Sequence, residues 1–172
     1  PEMDHYAPEV YVKSAENLQK LMRENILMRE AKACYYAYRL IMGEGETAHT
    51  QIGLIVAASV NAYDENRIRK HEFTRVDKEV DRVRPIDALN AQTGPVLLAH
   101  KDNLAIEEIL LEAIKGEPIA DLTADTGVKH SVWRMDNEAI IAKISKEINS
   151  METLYIADGH HRSAAASRVA AA

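Results

Sequence analysis

The sequence contains very little cysteine and no long apolar run. Cys34 is the single cysteine among 172 residues, which excludes an internal disulfide framework and a multi-cysteine zinc site and is typical of a reducing compartment. The longest apolar runs, such as IGLIVAASV at 52–60, are too short to span a bilayer, and the first residues do not resemble a signal peptide. We therefore expect a cytoplasmic protein with no membrane partner.

An excess of basic residues is also missing. The chain has 21 Lys and Arg against 27 Asp and Glu, which gives a net charge of −6. Such a domain lacks the general attraction to phosphate backbones on which nucleic-acid binding rests, unless its basic residues gather in one patch. Nucleic acid is therefore not the expected partner. Composition does not indicate the oligomeric state.

Two widespread site motifs are absent. The phosphate-binding sequence G-x-x-x-x-G-K-[ST] occurs nowhere, and the zinc motif H-E-x-x-H that His71 and Glu72 begin has Arg75 at its fifth position. The sequence also lacks a starting methionine and stops within an alanine-rich helix without a terminating glycine or proline. We expect residues 1–172 to be a single domain that is a fragment of a longer protein.

Periodic patterns predict alternating helices and strands. Helices are predicted at 8–24, 74–84, 103–117 and 136–150, with Pro85 ending or kinking the second and Asp136 capping the last. Strands are predicted at 33–42, 50–60, 95–100 and 153–157, and a further hairpin at 118–135. The first hairpin, 33–60, should have its second strand largely buried. This order predicts an α+β fold with a mixed sheet and flanking helices.

The stretch YIADGHHR at 155–162 is the strongest candidate site, since residues 158–161 are predicted to link a strand to a helix. Free backbone N–H groups and the positive end of the helix dipole meet there, so a phosphate would be stabilised, and Asp158 beside it would hold Mg²⁺. The alternative is that Asp158 only caps the helix, Gly159 only adopts a positive φ, and the histidines are solvated. The pattern alone leaves both open.

Glu72, in KHEFTR at 70–75, is the second candidate. It is surrounded in sequence by the cations Arg67, Arg69, Lys70 and Arg75. Neighbouring cations favour an ionised carboxylate, as a general base or a magnesium ligand requires. The alternative is a solvated charged loop without a function.

Two stretches together resemble the domain-of-unknown-function family 1015. They are RIRKHEFTRVDKEVDRVRPIDALNAQTGPVLL at 67–98 and LYIADGHHRSAAASR at 154–168. The D-G-H-H-R turn is similar to the phosphate motif of the ParB/sulfiredoxin-like fold, whose members include free serine kinases that use ADP or ATP, nucleotide-dependent partition proteins and sulfiredoxins. The resemblance therefore implies a ParB/sulfiredoxin-like fold and a nucleotide partner.

The resemblance also implies roles for individual residues. It places at the nucleotide phosphates the residues Asp158, Gly159, His160, His161 and Arg162. Asp158 is the implied Mg²⁺ ligand, and Glu72 and Asp158 are the implied catalytic carboxylates, Glu72 by analogy alone. The implied function is a small-molecule kinase that phosphorylates a hydroxyl with ADP or ATP and Mg²⁺, with free serine the favoured substrate. The alternative is a nucleotide-responsive regulatory or DNA-associated module related to ParB-type partition proteins.

Overall fold

A computed structural model describes residues 7–172, apart from the side chain of Asp77. Within these residues the chain forms six α-helices and seven β-strands, so the predicted α+β class is confirmed. In chain order the elements are α1 (Pro8–Arg23), β1 (Tyr35–Met42), β2 (His49–Ile55), α2 (Val60–Asp64), β3 (Ile68–Arg69), α3 (Val76–Leu89), β4 (Leu97–Ala99), α4 (Leu104–Ala113), β5 (Ala120–Thr123), β6 (Lys129–Met135), α5 (Glu138–Ser150), β7 (Leu154–Asp158) and α6 (His160–Ala170).

The chain divides into two compact units, each with its own sheet. The first unit includes residues 7–29, 58–101 and 152–172, and the second includes residues 30–57 and 102–151. The sequence predicts one mixed sheet. The predicted number of sheets is wrong, because the strands form a four-stranded sheet and a separate three-stranded sheet. Strand patterns specify which segments pair within a hairpin but carry little information on which hairpins share a sheet.

The second unit is an antiparallel sheet covered by two helices. Its strand order is β2-β1-β6-β5, and β1 with β2 and β5 with β6 form the two predicted hairpins. Helices α4 and α5 contribute Ile106, Leu110 and Ile144 to a core that also contains Trp133 of β6. The Trp133 indole N–H donates to the Gly116 carbonyl oxygen at 2.7 Å. The indole is therefore both packed and hydrogen-bonded, as a buried tryptophan requires.

Strand β2 is more exposed than its sequence predicts. Among residues 7–172 it lies at the edge of the sheet, where its one strand partner is β1. Its first residues, His49, Thr50 and Gln51, are exposed, and none of its residues is fully buried. The prediction of a largely buried strand is wrong because an apolar run alone does not distinguish a central strand from an edge strand with one covered face.

The first unit contains the smaller, mixed sheet. Its order is β3-β7-β4, with β3 parallel and β4 antiparallel to the central strand β7. Leu154 and Ile156 of β7 are buried. Helix α6 packs against α2 and α3, and α1 packs against α3. The end of β7 and the start of α6 therefore lie between the segment before α3 and the segment before β4.

The predicted end of α3 and the predicted cap of α5 are corrected. Helix α3 does not end at Pro85 but continues to Leu89, and Asn90 then adopts a left-handed conformation with φ 47°. Proline in a helix interior costs about 3 kcal/mol, and the packing of α3 against α1 and α6 outweighs that preference. Helix α5 is capped by the Asn137 side chain, which accepts from the N–H groups of Ala139 and Ile140, rather than by Asp136.

Candidate functional site

The turn between β7 and α6 is tighter than the sequence predicts. Strand β7 ends at Asp158 and α6 begins at His160, so the loop predicted over residues 158–161 is reduced to Gly159. Gly159 has φ 98° and ψ 30°, and a Cβ at this position would lie 3.1 Å from Val96 Cγ2. Glycine is required both by the left-handed backbone and by the close approach of Val96.

Gly159→Ala is expected to lower the free energy of unfolding by about 2–4 kcal/mol, because the left-handed strain adds to the contact with Val96. Gly127→Ala is the matched control, since Gly127 has φ 81° but open space around its Cα. The control should cost only the conformational strain of about 1–2 kcal/mol. Denaturant unfolding of both variants measures the difference, and equal losses would show that Val96 does not constrain the turn.

The N-cap position of α6 is occupied by Gly159, so within the described residues no N-cap side chain accepts from the first turn. The predicted alternative that Asp158 caps the helix is therefore not what the structure shows. The first intrahelical bond runs from the Ser163 N–H to the Gly159 carbonyl at 2.9 Å. The N–H groups before Ser163 lie at the positive end of the helix dipole without an intrahelical acceptor, which is the arrangement that favours an anion.

His160 connects this turn to Glu72. Its side chain is 4% exposed, and its Nδ1 lies 3.4 Å from Glu72 Oε2. Its Nε2 accepts from the backbone N–H of His71 at 3.5 Å, and the His71 and His160 rings meet edge to face at 4.3 Å between centroids. The two sequence candidates, Glu72 and the D-G-H-H-R turn, therefore lie together although they are far apart in the chain. His160 is not a solvated histidine.

His161 makes a second contact with the same segment. Its Nε2 accepts from the backbone N–H of Arg75 at 3.3 Å. Arg75 is the residue before α3, so this bond joins the first turn of α6 to the first turn of α3. The two consecutive histidines therefore contact the segment 70–75 at its two ends.

Arg162 lies between Asp158 and the segment before β4. One guanidinium nitrogen donates to the Pro95 carbonyl at 2.6 Å, and the same nitrogen lies 3.8 Å from Asp158 Oδ2. The Arg162 side chain lies close to Gly94, and a Cβ added at Gly94 would be 3.1 Å from Arg162 Nε. The guanidinium is thus held in one place. Asp158, whose side chain is 76% exposed, keeps its carboxylate available to solvent.

The sequence matches the family described as "Protein of unknown function (DUF1015)" over residues 1–172. The chain belongs to the DUF1015 family. The resemblance recognised from residues 67–98 and 154–168 is thereby confirmed. No curated protein and no solved structure matches the chain, so the ParB/sulfiredoxin-like fold stays a prediction.

In this DUF1015 chain, Glu79 completes the attachment of the segment 70–75. The pKa of the Glu79 carboxyl is lowered, chiefly because the Thr74 hydroxyl donates to it, with Arg168 contributing a further donor at 3.0 Å against the opposing effect of burial. Nothing in the sequence indicates the partner Arg168, because a contact between α3 and α6 leaves no local pattern.

Glu79→Gln tests this attachment through its pH dependence. A lowered pKa means that the carboxylate stabilises the fold above its unfolded pKa of about 4.3, and that this contribution is lost as the pH falls through the folded value. At neutral pH we expect the free energy of unfolding to drop by about 1–3 kcal/mol, since two bonds to a charge at 14% exposure are weakened. The variant and the parent should converge only as the pH falls from the unfolded pKa through the lowered folded pKa of Glu79. A pH-independent difference would contradict the assignment.

The described residues of this family member contain no ready-made metal centre. No group of three or more His, Cys, Asp or Glu side chains suited to a metal ion occurs within residues 7–172. Mg²⁺ in nucleotide sites is held by one or two carboxylates together with phosphates and water, so Asp158 as its ligand stays a prediction.

Within residues 7–172, no helix is long and apolar enough to cross a membrane.

Proposed function

We propose that the protein is a nucleotide-dependent phosphotransferase that phosphorylates a small hydroxyl compound, with free serine the leading substrate. The observation that supports this most is the position of Glu72. Its carboxylate lies 3.4 Å from His160 at the start of α6 and is 53% exposed. The Glu72 carboxylate is therefore accessible to a substrate, faces a buried histidine and lies near a helix start whose N–H groups have no side-chain cap. A general base beside a phosphate requires this placement.

The start of α6 is the proposed phosphate site. The uncapped N–H groups of the first turn would donate to phosphate oxygens, and the helix dipole would stabilise their charge. Gly159 allows the phosphate to approach the backbone closely because it has no side chain. Arg162, fixed by Pro95, would add positive charge at the edge of this site. Asp158 is the residue proposed to hold Mg²⁺, which when bound would neutralise phosphate charge.

The transfer requires a proton acceptor, and Glu72 is proposed to be it. As the substrate hydroxyl oxygen bonds to the terminal phosphorus, the bond from that phosphorus to the leaving nucleotide oxygen breaks and its electron pair leaves with the nucleotide. Glu72 would take the hydroxyl proton at its carboxylate. Serine and the donor would thus give phosphoserine and AMP from ADP, or phosphoserine and ADP from ATP. Positioning and charge neutralisation supply most of the catalysis in such reactions.

The charges around the site do not favour the DNA-associated alternative. Duplex binding requires cations that are available to phosphates. Here the Lys70 ammonium lies 3.8 Å from the centre of the Tyr63 ring, Arg168 is paired with Glu79, and Arg162 is bonded to a carbonyl. With a net charge of −6 as well, the chain supports a small-molecule role better than a duplex-binding one.

Calorimetry with ADP and ATP, with and without Mg²⁺, tests the nucleotide site. We expect binding that Mg²⁺ strengthens, and Asp158→Asn should remove at least about tenfold of that gain because the amide is a weaker magnesium ligand. Asp125→Asn, which changes an exposed acid in the β5–β6 turn, should leave binding unchanged. An unaltered magnesium effect in Asp158→Asn would remove the metal assignment.

Incubation of the protein with radiolabelled ADP or ATP, Mg²⁺ and a panel of small hydroxyl compounds that includes serine tests the reaction itself. We expect to detect labelled phosphoserine or another phosphorylated compound of the panel. Nucleotide binding at the start of α6 without any labelled product would favour a nucleotide-responsive binding module instead.

A further inference from the structure

Two consecutive histidines in the first turn of α6 accept hydrogen bonds from the backbone of one segment. His160 Nε2 accepts from the His71 N–H at 3.5 Å, and His161 Nε2 accepts from the Arg75 N–H at 3.3 Å. Successive helical side chains project about 100° apart, so the two rings reach different points of the segment. Glu72 lies between these points.

The chemistry of these contacts assigns the ring protons. A backbone N–H can donate only to an unprotonated nitrogen, and neutral imidazole carries its proton on the other nitrogen. The two contacts therefore require an unprotonated Nε2 and a proton on Nδ1 in both rings. In His160, that Nδ1–H faces the Glu72 carboxylate at 3.4 Å. His160 thus accepts from the backbone of residue 71 on one side and faces the side chain of residue 72 on the other.

This arrangement leaves His160 without a group to offer a phosphate. Its side chain is 4% exposed, and both of its ring nitrogens already face groups in the segment 70–75. Phosphate recognition needs donors that are accessible to the ligand. The Nε2 of His161 is an acceptor in its contact with Arg75, so that nitrogen cannot donate to a phosphate either.

We propose that His160 and His161 are positioning residues: they attach the segment 70–75 to the start of α6 and thereby fix Glu72 there, and His160 has no donor left for a phosphate. The same attachment is reinforced from α3, where Thr74 and Arg168 both donate to Glu79. The attachment of the segment 70–75 stands whether or not the protein transfers phosphate. The effect of this attachment on turnover rests on the proposed function.

Amide hydrogen exchange measured by NMR tests the placement directly. The His71 and Arg75 amides should be protected, and asparagine and glutamine are the informative substitutions. A glutamine amide extends about as far as Nε2, so its oxygen can still accept from the backbone N–H, whereas asparagine reaches only about as far as Nδ1. His160→Asn should therefore lower protection of the His71 amide by about tenfold, the value of one hydrogen bond, and His160→Gln should retain most of it.

The same pair of substitutions at the second position provides the matched control. His161→Asn should lower protection of the Arg75 amide and leave that of His71 largely unchanged, with His161→Gln again retaining protection. Equal loss at both amides in either asparagine variant would indicate general loosening and would overturn the proposal, as would an unprotected His71 or Arg75 amide in the parent protein.

A second measurement needs no variant and decides the question if an asparagine variant does not fold. Long-range proton–nitrogen correlation spectra of the parent, recorded where the rings are neutral, should show the proton on Nδ1 of both histidines. A proton on Nε2 of either ring would exclude the backbone contact that the proposal requires.

Kinetics then connect the placement to the proposed function. In a protein that transfers phosphate, His160→Asn should lower kcat by about tenfold or more with little change in the KM for nucleotide, because it disturbs Glu72 and not the phosphate site. A rise in KM with an unchanged kcat would instead show that His160 contacts the phosphates, and would overturn its role as a positioning residue. If the parent shows no transfer at all, the proposed function fails while the exchange and tautomer results still decide the role of the histidines.

Discussion

Replacing Glu72 with glutamine is expected to lower turnover by about 10²–10⁴-fold, the contribution typical of a general base, while nucleotide affinity stays within about twofold of the parent. The amide removes proton acceptance with little change in volume. Because the Glu72 side chain is 53% exposed, the substitution should not unfold the protein. The measurement is steady-state phosphotransfer together with calorimetric nucleotide binding on the same preparation.

Glu152→Gln is the matched control for this experiment, since it makes the same chemical change at an exposed position of the same unit. The control should retain the parental turnover. Parental turnover in Glu72→Gln would show that Glu72 is not the base. A parallel loss of nucleotide binding would show instead that Glu72 acts in binding rather than in proton transfer.

Trp133→Ala is expected to lower the free energy of unfolding by about 3–5 kcal/mol. The indole is 4% exposed within the core formed by the sheet, α4 and α5. Its loss would leave a cavity, would deprive the Gly116 carbonyl of its donor at 2.7 Å, and would remove the ring over which the Arg39 guanidinium lies at 4.8 Å. Each of these effects destabilises the folded state.

Trp133→Phe separates these contributions, because phenylalanine fills much of the volume but cannot donate to Gly116. It should cost about 1–2 kcal/mol. Urea unfolding followed by circular dichroism measures both variants without relying on the fluorescence of the single tryptophan. A loss below about 1 kcal/mol in Trp133→Ala would mean that this core contributes little to stability.

Features with a local cause were predictable from the sequence. The two hairpins of the second unit follow from alternating apolar residues separated by turn residues. The helix at 8–24 and the strand leading into Asp158 follow from periodicity. The site did not follow from a local pattern: the family resemblance, by analogy alone, implied that Glu72 acts with the α6 turn, and the structure places Glu72 Oε2 3.4 Å from His160 Nδ1.

Features that depend on distant contacts were not predictable. The division of the strands into two sheets, the two-residue strand β3 and the burial of His160 all arise from pairings between segments far apart in the chain. The continuation of α3 through Pro85 shows packing overriding a local preference. The cap at Asn137 rather than Asp136 depends on a single-residue shift that propensity does not resolve, since both residue types cap well.

We propose that the start of α6 binds the phosphates of a nucleotide beside Glu72, and a crystal structure of the protein with ADP and Mg²⁺ at saturating concentration is the decisive test. We expect terminal phosphate oxygens within hydrogen-bond distance of the backbone N–H groups of 160–162, with Mg²⁺ at Asp158 and the Glu72 carboxylate facing the terminal phosphorus. Nucleotide bound elsewhere, or a first turn of α6 unchanged and without phosphate at saturation, would contradict it.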